Sequence, residues 1–88
     1  MEPVIMRPAQ VAKHLKQQGL SLESQAPLWG VTPLMVHHYK TGRTKQPNPE
    51  VCMNVYRNIL IKGQPVLLHF YETYGDLEQA YNAYMKGK

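Results

Sequence analysis

Cysteine is almost absent from this 88-residue chain, where Cys52 stands alone. One thiol closes no intramolecular disulfide and builds no zinc finger, so a reducing, cytoplasmic setting is expected. Acidic residues are also scarce, with one aspartate, Asp76, and five glutamates. There is no glycine-rich phosphate loop, and no two titratable groups sit at a spacing suited to acid–base or nucleophilic work. An enzyme is therefore not expected, and no cofactor is implied. No apolar run approaches the roughly 20 residues that span a bilayer, and residues 1–7 lack the charged-then-apolar pattern of a secretory signal. His37 and His38 are adjacent, and neighbours on a helix point about 100° apart, so they form no joint metal-ligand pair.

What the chain does have is unevenly placed positive charge. Residues 1–62 hold Arg7, Lys13, Lys16, Lys40, Arg43, Lys45, Arg57 and Lys62 against Glu2, Glu23 and Glu50, a net +5. Residues 63–88 hold Lys86 and Lys88 against Glu72, Asp76 and Glu78, a net −1. A basic surface concentrates polyanions around it, which makes nucleic acid the natural partner of the first two thirds. The length fits one domain, 1–88, near the size at which a single core just suffices, so pairing of two copies would help.

Proline and glycine divide the chain into short helical segments. Pro8, Val11, Leu15 and the Gly19 stop outline a helix over 8–18. Ser21 caps a second, with Leu22, Ala26 and Trp29 inward and Gly30 at its end. Thr32 caps a third, with Pro33 at its first position and Val36 and Tyr39 inward. Asn48, Pro49 and Glu50 start a fourth. Pro65 opens a fifth, to about Tyr74, and Asp76 caps a sixth, through Met85. No stretch alternates with period two, so the expected fold is all-α: a compact helical domain of five to six short helices containing a helix-turn-helix. The only candidate strands are residues 59–61 and 66–68.

The stretch from Ser21 to Gly42 carries the argument. Two helices that cross closely need a small residue midway in the first, and Ala26 supplies it. The turn four positions later needs a residue that adopts the left-handed conformation, and Gly30 supplies that. Val31 follows as the apolar turn residue, Thr32 as the cap, and Val36 with Tyr39 as the buried pair. Gly42 ends the second helix. In this ungapped spacing, and in the Pro47-Asn48-Pro49-Glu50 start of the next helix, residues 7–60 resemble the lambda-repressor/Cro-type, XRE-like, helix-turn-helix family. Two positions depart from it: Pro27 falls inside the first motif helix, and Gln25 stands where the family buries an aliphatic side chain.

The resemblance implies a sequence-specific transcriptional regulator of double-stranded DNA, of the kind found in phage and bacteria. Its recognition helix, residues 32–40, would lie in the major groove. Carried over by position, Pro33, Leu34, His37 and His38 face the groove and Thr32 lies near a phosphate, with Met35 beside them. This head lacks Arg, Gln and Asn, the residues that make bidentate contacts to purines. Leu34 and Pro33 would pack on thymine methyls, and the histidines would donate N–H groups. The family also implies backbone contacts from Ser21 and from the basic loop after the helix: Lys40, Arg43 and Lys45, with Thr41 and Thr44. Arg7, Lys13 and Lys16 have a weaker claim, as ordinary surface of an amphipathic helix.

The core of the motif spans 7–62, and 63–88 reads as a helical extension. Its stripe of Leu67, Leu68, Tyr71, Tyr74, Leu77, Tyr81 and Tyr84 would complete the core against the first helix, dimerise the protein, or do both. A homodimer is the family's way of matching half-sites one DNA turn apart. The competing reading is a helix-turn-helix module that binds a regulator or polymerase subunit instead of DNA, which the apolar Leu34-Met35 pair would suit.

Overall fold

The computed structural model of the chain describes residues 2–44 and 46–87. Five helices and three strands follow one another as β1 (Val4–Met6), α1 (Pro8–Gln17), α2 (Leu22–Trp29), α3 (Pro33–Thr41), α4 (Pro49–Asn58), β2 (Leu60–Ile61), β3 (Gln64–Leu68) and α5 (Tyr74–Lys86). The all-α expectation is therefore corrected: helices dominate, but a small mixed sheet closes the fold. Its order is β1-β3-β2, with β1 parallel to β3 and β2 antiparallel to it.

The expected fifth helix from Pro65 is in fact β3. Lys62 and Gly63 both have positive φ, 54° and 76°, the conformation of a two-residue hairpin turn. Ile61 pairs with Gln64 across that turn, and Leu60 with Pro65. The pair next to such a turn exchanges both main-chain hydrogen bonds and the following pair exchanges none, so the missing N–H of Pro65 costs β2 nothing. Val66, Leu67 and Leu68 are each 0% exposed, because β3 is the middle strand and is covered on both faces. A strand buried on both sides is a continuous apolar run, which periodicity alone does not separate from a helix segment. The segment beyond residue 63 is accordingly strand first and helix second.

The helix starts follow the caps anticipated above. Ser21 Oγ accepts from Ser24 N at 3.1 Å, Thr32 Oγ1 from Met35 N at 3.3 Å and Asn48 Oδ1 from Val51 N at 3.0 Å. The last helix differs: Thr73 is its cap, accepting from Asp76 N at 3.2 Å, and Thr73 N donates in turn to the Asp76 carboxylate at 3.3 Å, so the helix begins at Tyr74 rather than after Asp76.

One core gathers Val11, Leu15, Trp29, Val36, Tyr39, Met53, Val55, Ile59, Leu67 and Leu77 from all these layers. Trp29 and Tyr39 stack across α2 and α3 with ring centroids 5.1 Å apart. Helix α5 lies on α4, while Leu67, Leu68 and Leu77 of the expected stripe share the core with Val11 and Leu15 of α1. Tyr74 meets Tyr56 at 4.5 Å between centroids, and the Arg57 guanidinium stands 5.3 Å from the centre of the Tyr81 ring.

Candidate nucleic-acid interface

The two motif helices, α2 and α3, are joined as the spacing requires. Gly30 takes φ +74°, and the carbonyl of Ala26 accepts from both Gly30 N at 2.9 Å and Val31 N at 3.1 Å. Ala26 itself is buried. Pro27 does not break α2, which runs through it to Trp29 with Pro27 on the exposed side. Gln25 is fully buried: its Nε2 donates to the carbonyls of Ala12 at 3.1 Å and Leu20 at 3.3 Å. The amide nitrogen thus ties α2 to α1 and to the turn between them, while its Oε1 is buried without a hydrogen-bond partner among the described residues.

Along α3 one face is buried, through Val36 and Tyr39, and the opposite one is open. Leu34, His37 and Thr41 recur there at i, i+3 and i+7, the middle of the outer face, and all three are exposed, Leu34 by 62%. Pro33 is exposed beside them. Of the other residues named for the groove, His38 is half-buried on one shoulder and Met35 packs against the core. Thr41 was not among the residues expected to face a groove. Its hydroxyl donates to the carbonyls of His37 at 3.1 Å and His38 at 3.3 Å, which leaves its oxygen open to solvent as an acceptor.

The hydroxyls of Ser21 and Thr32 are both occupied as helix caps, and Ser21 also donates to Ser24 Oγ at 3.1 Å. At the far end of α3, Gly42 is left-handed and Arg43 N donates to the His38 carbonyl at 2.9 Å. The chain therefore doubles back, and His37, Thr41, Gly42 and Arg43 line one shallow depression. Thr44 turns inward from it: with Arg7, Pro8, Ala9, Tyr39, His69 and Phe70 it lines a second, open groove of about 470 Å³. Lys45 lies outside the described residues.

Lys40 sits on the shoulder of α3 that faces α1. There Lys16 of α1 approaches it and holds the Lys40 amine below the ordinary lysine range, with Lys13 adding to the effect. Among the described residues no carboxylate pairs with any of the three. Lys13 and Lys16 were expected to be ordinary helix surface, and both are exposed. Their i, i+3 spacing on α1 is legible in the sequence, but that α3 would present a third lysine to them depends on how the helices pack.

Also among the described residues, no three His, Cys, Asp or Glu side chains gather where they could hold a metal ion, and no helix is long and apolar enough to cross a membrane. Cys52 is buried and touches Tyr71; burial pushes its thiol up to about 11. Compared with protein-family models, curated proteins and solved structures, the chain matches none.

Proposed function

We propose that the chain is a sequence-specific regulator of transcription that binds double-stranded DNA, with α3 in the major groove and its outer face toward the base edges. One observation carries the reading. The face of Leu34, His37 and Thr41 is left open to solvent, and cations stand around it: Lys40 with Lys13 and Lys16 on one shoulder, Arg43 at the C-terminal end. Leu34 and Pro33 supply methyl-sized contacts for thymine, His37 supplies N–H donors, and the cations hold phosphates. With so few bidentate readers, each base contributes toward the low end of the roughly 1–3 kcal/mol range, so two copies on two half-sites belong to the same proposal.

The test is binding of the full chain to random-sequence duplex over a salt series, followed by selection of preferred sequences from a random pool. Binding that weakens steeply with salt, and a selected site with two-fold symmetry, support the reading. Salt-insensitive capture of one protein with no duplex binding would instead make the exposed Leu34 part of a protein-docking surface.

A further inference from the structure

We infer that the shoulder between α1 and α3, formed by Lys13, Lys16 and Lys40, is a binding strip for the phosphodiester backbone, adding α1 to the DNA contacts made by α3. This rests on the duplex-binding reading above. The two helices pack closely along this side. On α1 the apolar face of Pro8, Val11, Ala12 and Leu15 is buried, which leaves Lys13 and Lys16 exposed, one helical turn apart. On α3 the burial of Val36 and Tyr39 fixes Lys40 at the edge next to α1. Three like charges thereby converge from two elements.

Ordinary surface lysines are commonly interspersed with carboxylates, and here they are not. From residue 3 to residue 49 the only acidic residue is Glu23, in the first turn of α2. Neither α1 nor α3 contains a carboxylate. Convergence of unpaired ammonium groups is unfavourable in the free protein, by an amount that depends on ionic strength. A row of phosphates reverses its sign, since each phosphate brought to a lysine neutralises it and releases condensed counterions. Lysine suits this use, being a point charge on a flexible stem that follows a backbone without reading bases.

The test compares the full-length protein with Lys13→Gln/Lys16→Gln and with Lys13→Arg/Lys16→Arg, titrated against a labelled random-sequence duplex between 50 and 200 mM salt. Two lost phosphate contacts lower the slope of log K against log salt by roughly 1.8, so over that range the wild type loses roughly tenfold more affinity than the glutamine variant. The arginine variant keeps the wild-type slope. If the wild type binds and all three slopes coincide, the strip is refuted while duplex binding stands. If the wild type binds no duplex, both fail together. Thermal melting without DNA is the independent check. At low salt the glutamine variant melts no lower than the wild type, because repulsion is relieved, and any advantage fades at about 1 M salt, where the screening length is about 3 Å. A variant that melts well below the wild type at low salt would mean that the lysines hold the helices together, which overturns the inference.

Discussion

Asn54 of α4 donates its side-chain amide to the main-chain carbonyl of Trp29 at 3.2 Å, and that amide occupies the space a β-carbon at Gly30 would need. One turn further on, Asn58 donates to the carbonyl of Leu28 at 3.1 Å. The last carbonyls of a helix have no partner within it, and here two asparagines of the following helix supply one each. The turn of the motif is therefore held by α4 as well as by its own glycine.

Gly30→Ala is expected to lose about 2–4 kcal/mol of stability. About 1 kcal/mol comes from the left-handed backbone and the rest from displacing Asn54. Asn54→Ala alone should cost about 1–2 kcal/mol through the unpaired Trp29 carbonyl. Urea unfolding of both single variants and the double variant gives the coupling. With Asn54 already truncated, the alanine at position 30 should cost only its backbone share. Strict additivity of the two losses would contradict the steric account.

Leu34→Ala and Arg43→Ala should separate base contacts from phosphate contacts. Both side chains are exposed, so neither variant should change stability by more than about 0.5 kcal/mol. Leu34→Ala is expected to lower preference for a selected site by about 1 kcal/mol per half-site and leave binding to random duplex, and its salt slope, unchanged. Arg43→Ala should weaken binding to every sequence alike and lower the slope by about one. Competition titrations with selected and random duplex read both effects. The assignment of roles would be wrong if Leu34→Ala weakened random-duplex binding as much as selected-site binding.

Local sequence rules carried the helical part of this fold well. Ser21, Thr32 and Asn48 cap where proline and apolar spacing put them, and Gly30 and Gly42 are left-handed as the turn and the helix end require. The sheet was hidden for a physical reason. Val66, Leu67 and Leu68 are buried without alternation, and the parallel partner of that strand, Val4–Met6, lies about sixty residues away in the chain, beyond any local signal. The site divides the same way. Leu34 and His37 are exposed because Val36 and Tyr39 are buried, which helical periodicity already states. The meeting of Lys16 with Lys40 depends on how α1 crosses α3, and only tertiary packing specifies that.

Gln25 offers a sensitive probe of the join between α1 and α2. Replacement by leucine keeps most of the volume and loses the two bonds to Ala12 and Leu20, for about 1–2 kcal/mol. Replacement by glutamate is expected to cost over 3 kcal/mol at neutral pH, because a buried carboxylate would face two carbonyl oxygens. The protonated acid can donate to one of them, so the pKa of the introduced group is raised by folding and the loss should shrink as pH falls toward about 4.3. Urea midpoints at pH 5 and pH 7 test this. A glutamate variant as stable as the leucine variant at pH 7 would show that the site is wetter than described.

Cys52 should make stability fall on the alkaline side. Its thiol is 1% exposed, contacts the Pro47 carbonyl at 3.7 Å, and is raised by burial from 9.0 to about 11. Between those two values the unfolded chain releases the thiol proton while the folded chain keeps it. The stabilisation is thus fully present below pH 9 and is lost as pH rises toward 11, to a limit of about 2–3 kcal/mol. Tyr39 and Tyr71, raised by burial and then by the neighbouring Cys52, act in the same direction. Lys40 acts in the opposite one, since its lowered value lets the folded state shed charge first. Unfolding free energies of the wild type and Cys52→Ala from pH 8 to pH 11 isolate the thiol. The wild type's advantage at pH 8 should shrink steadily above pH 9, and the folded protein should react only slowly with a disulfide reagent at pH 8. Parallel curves for the two proteins, or rapid modification of the native thiol, would place Cys52 in contact with solvent and remove the effect.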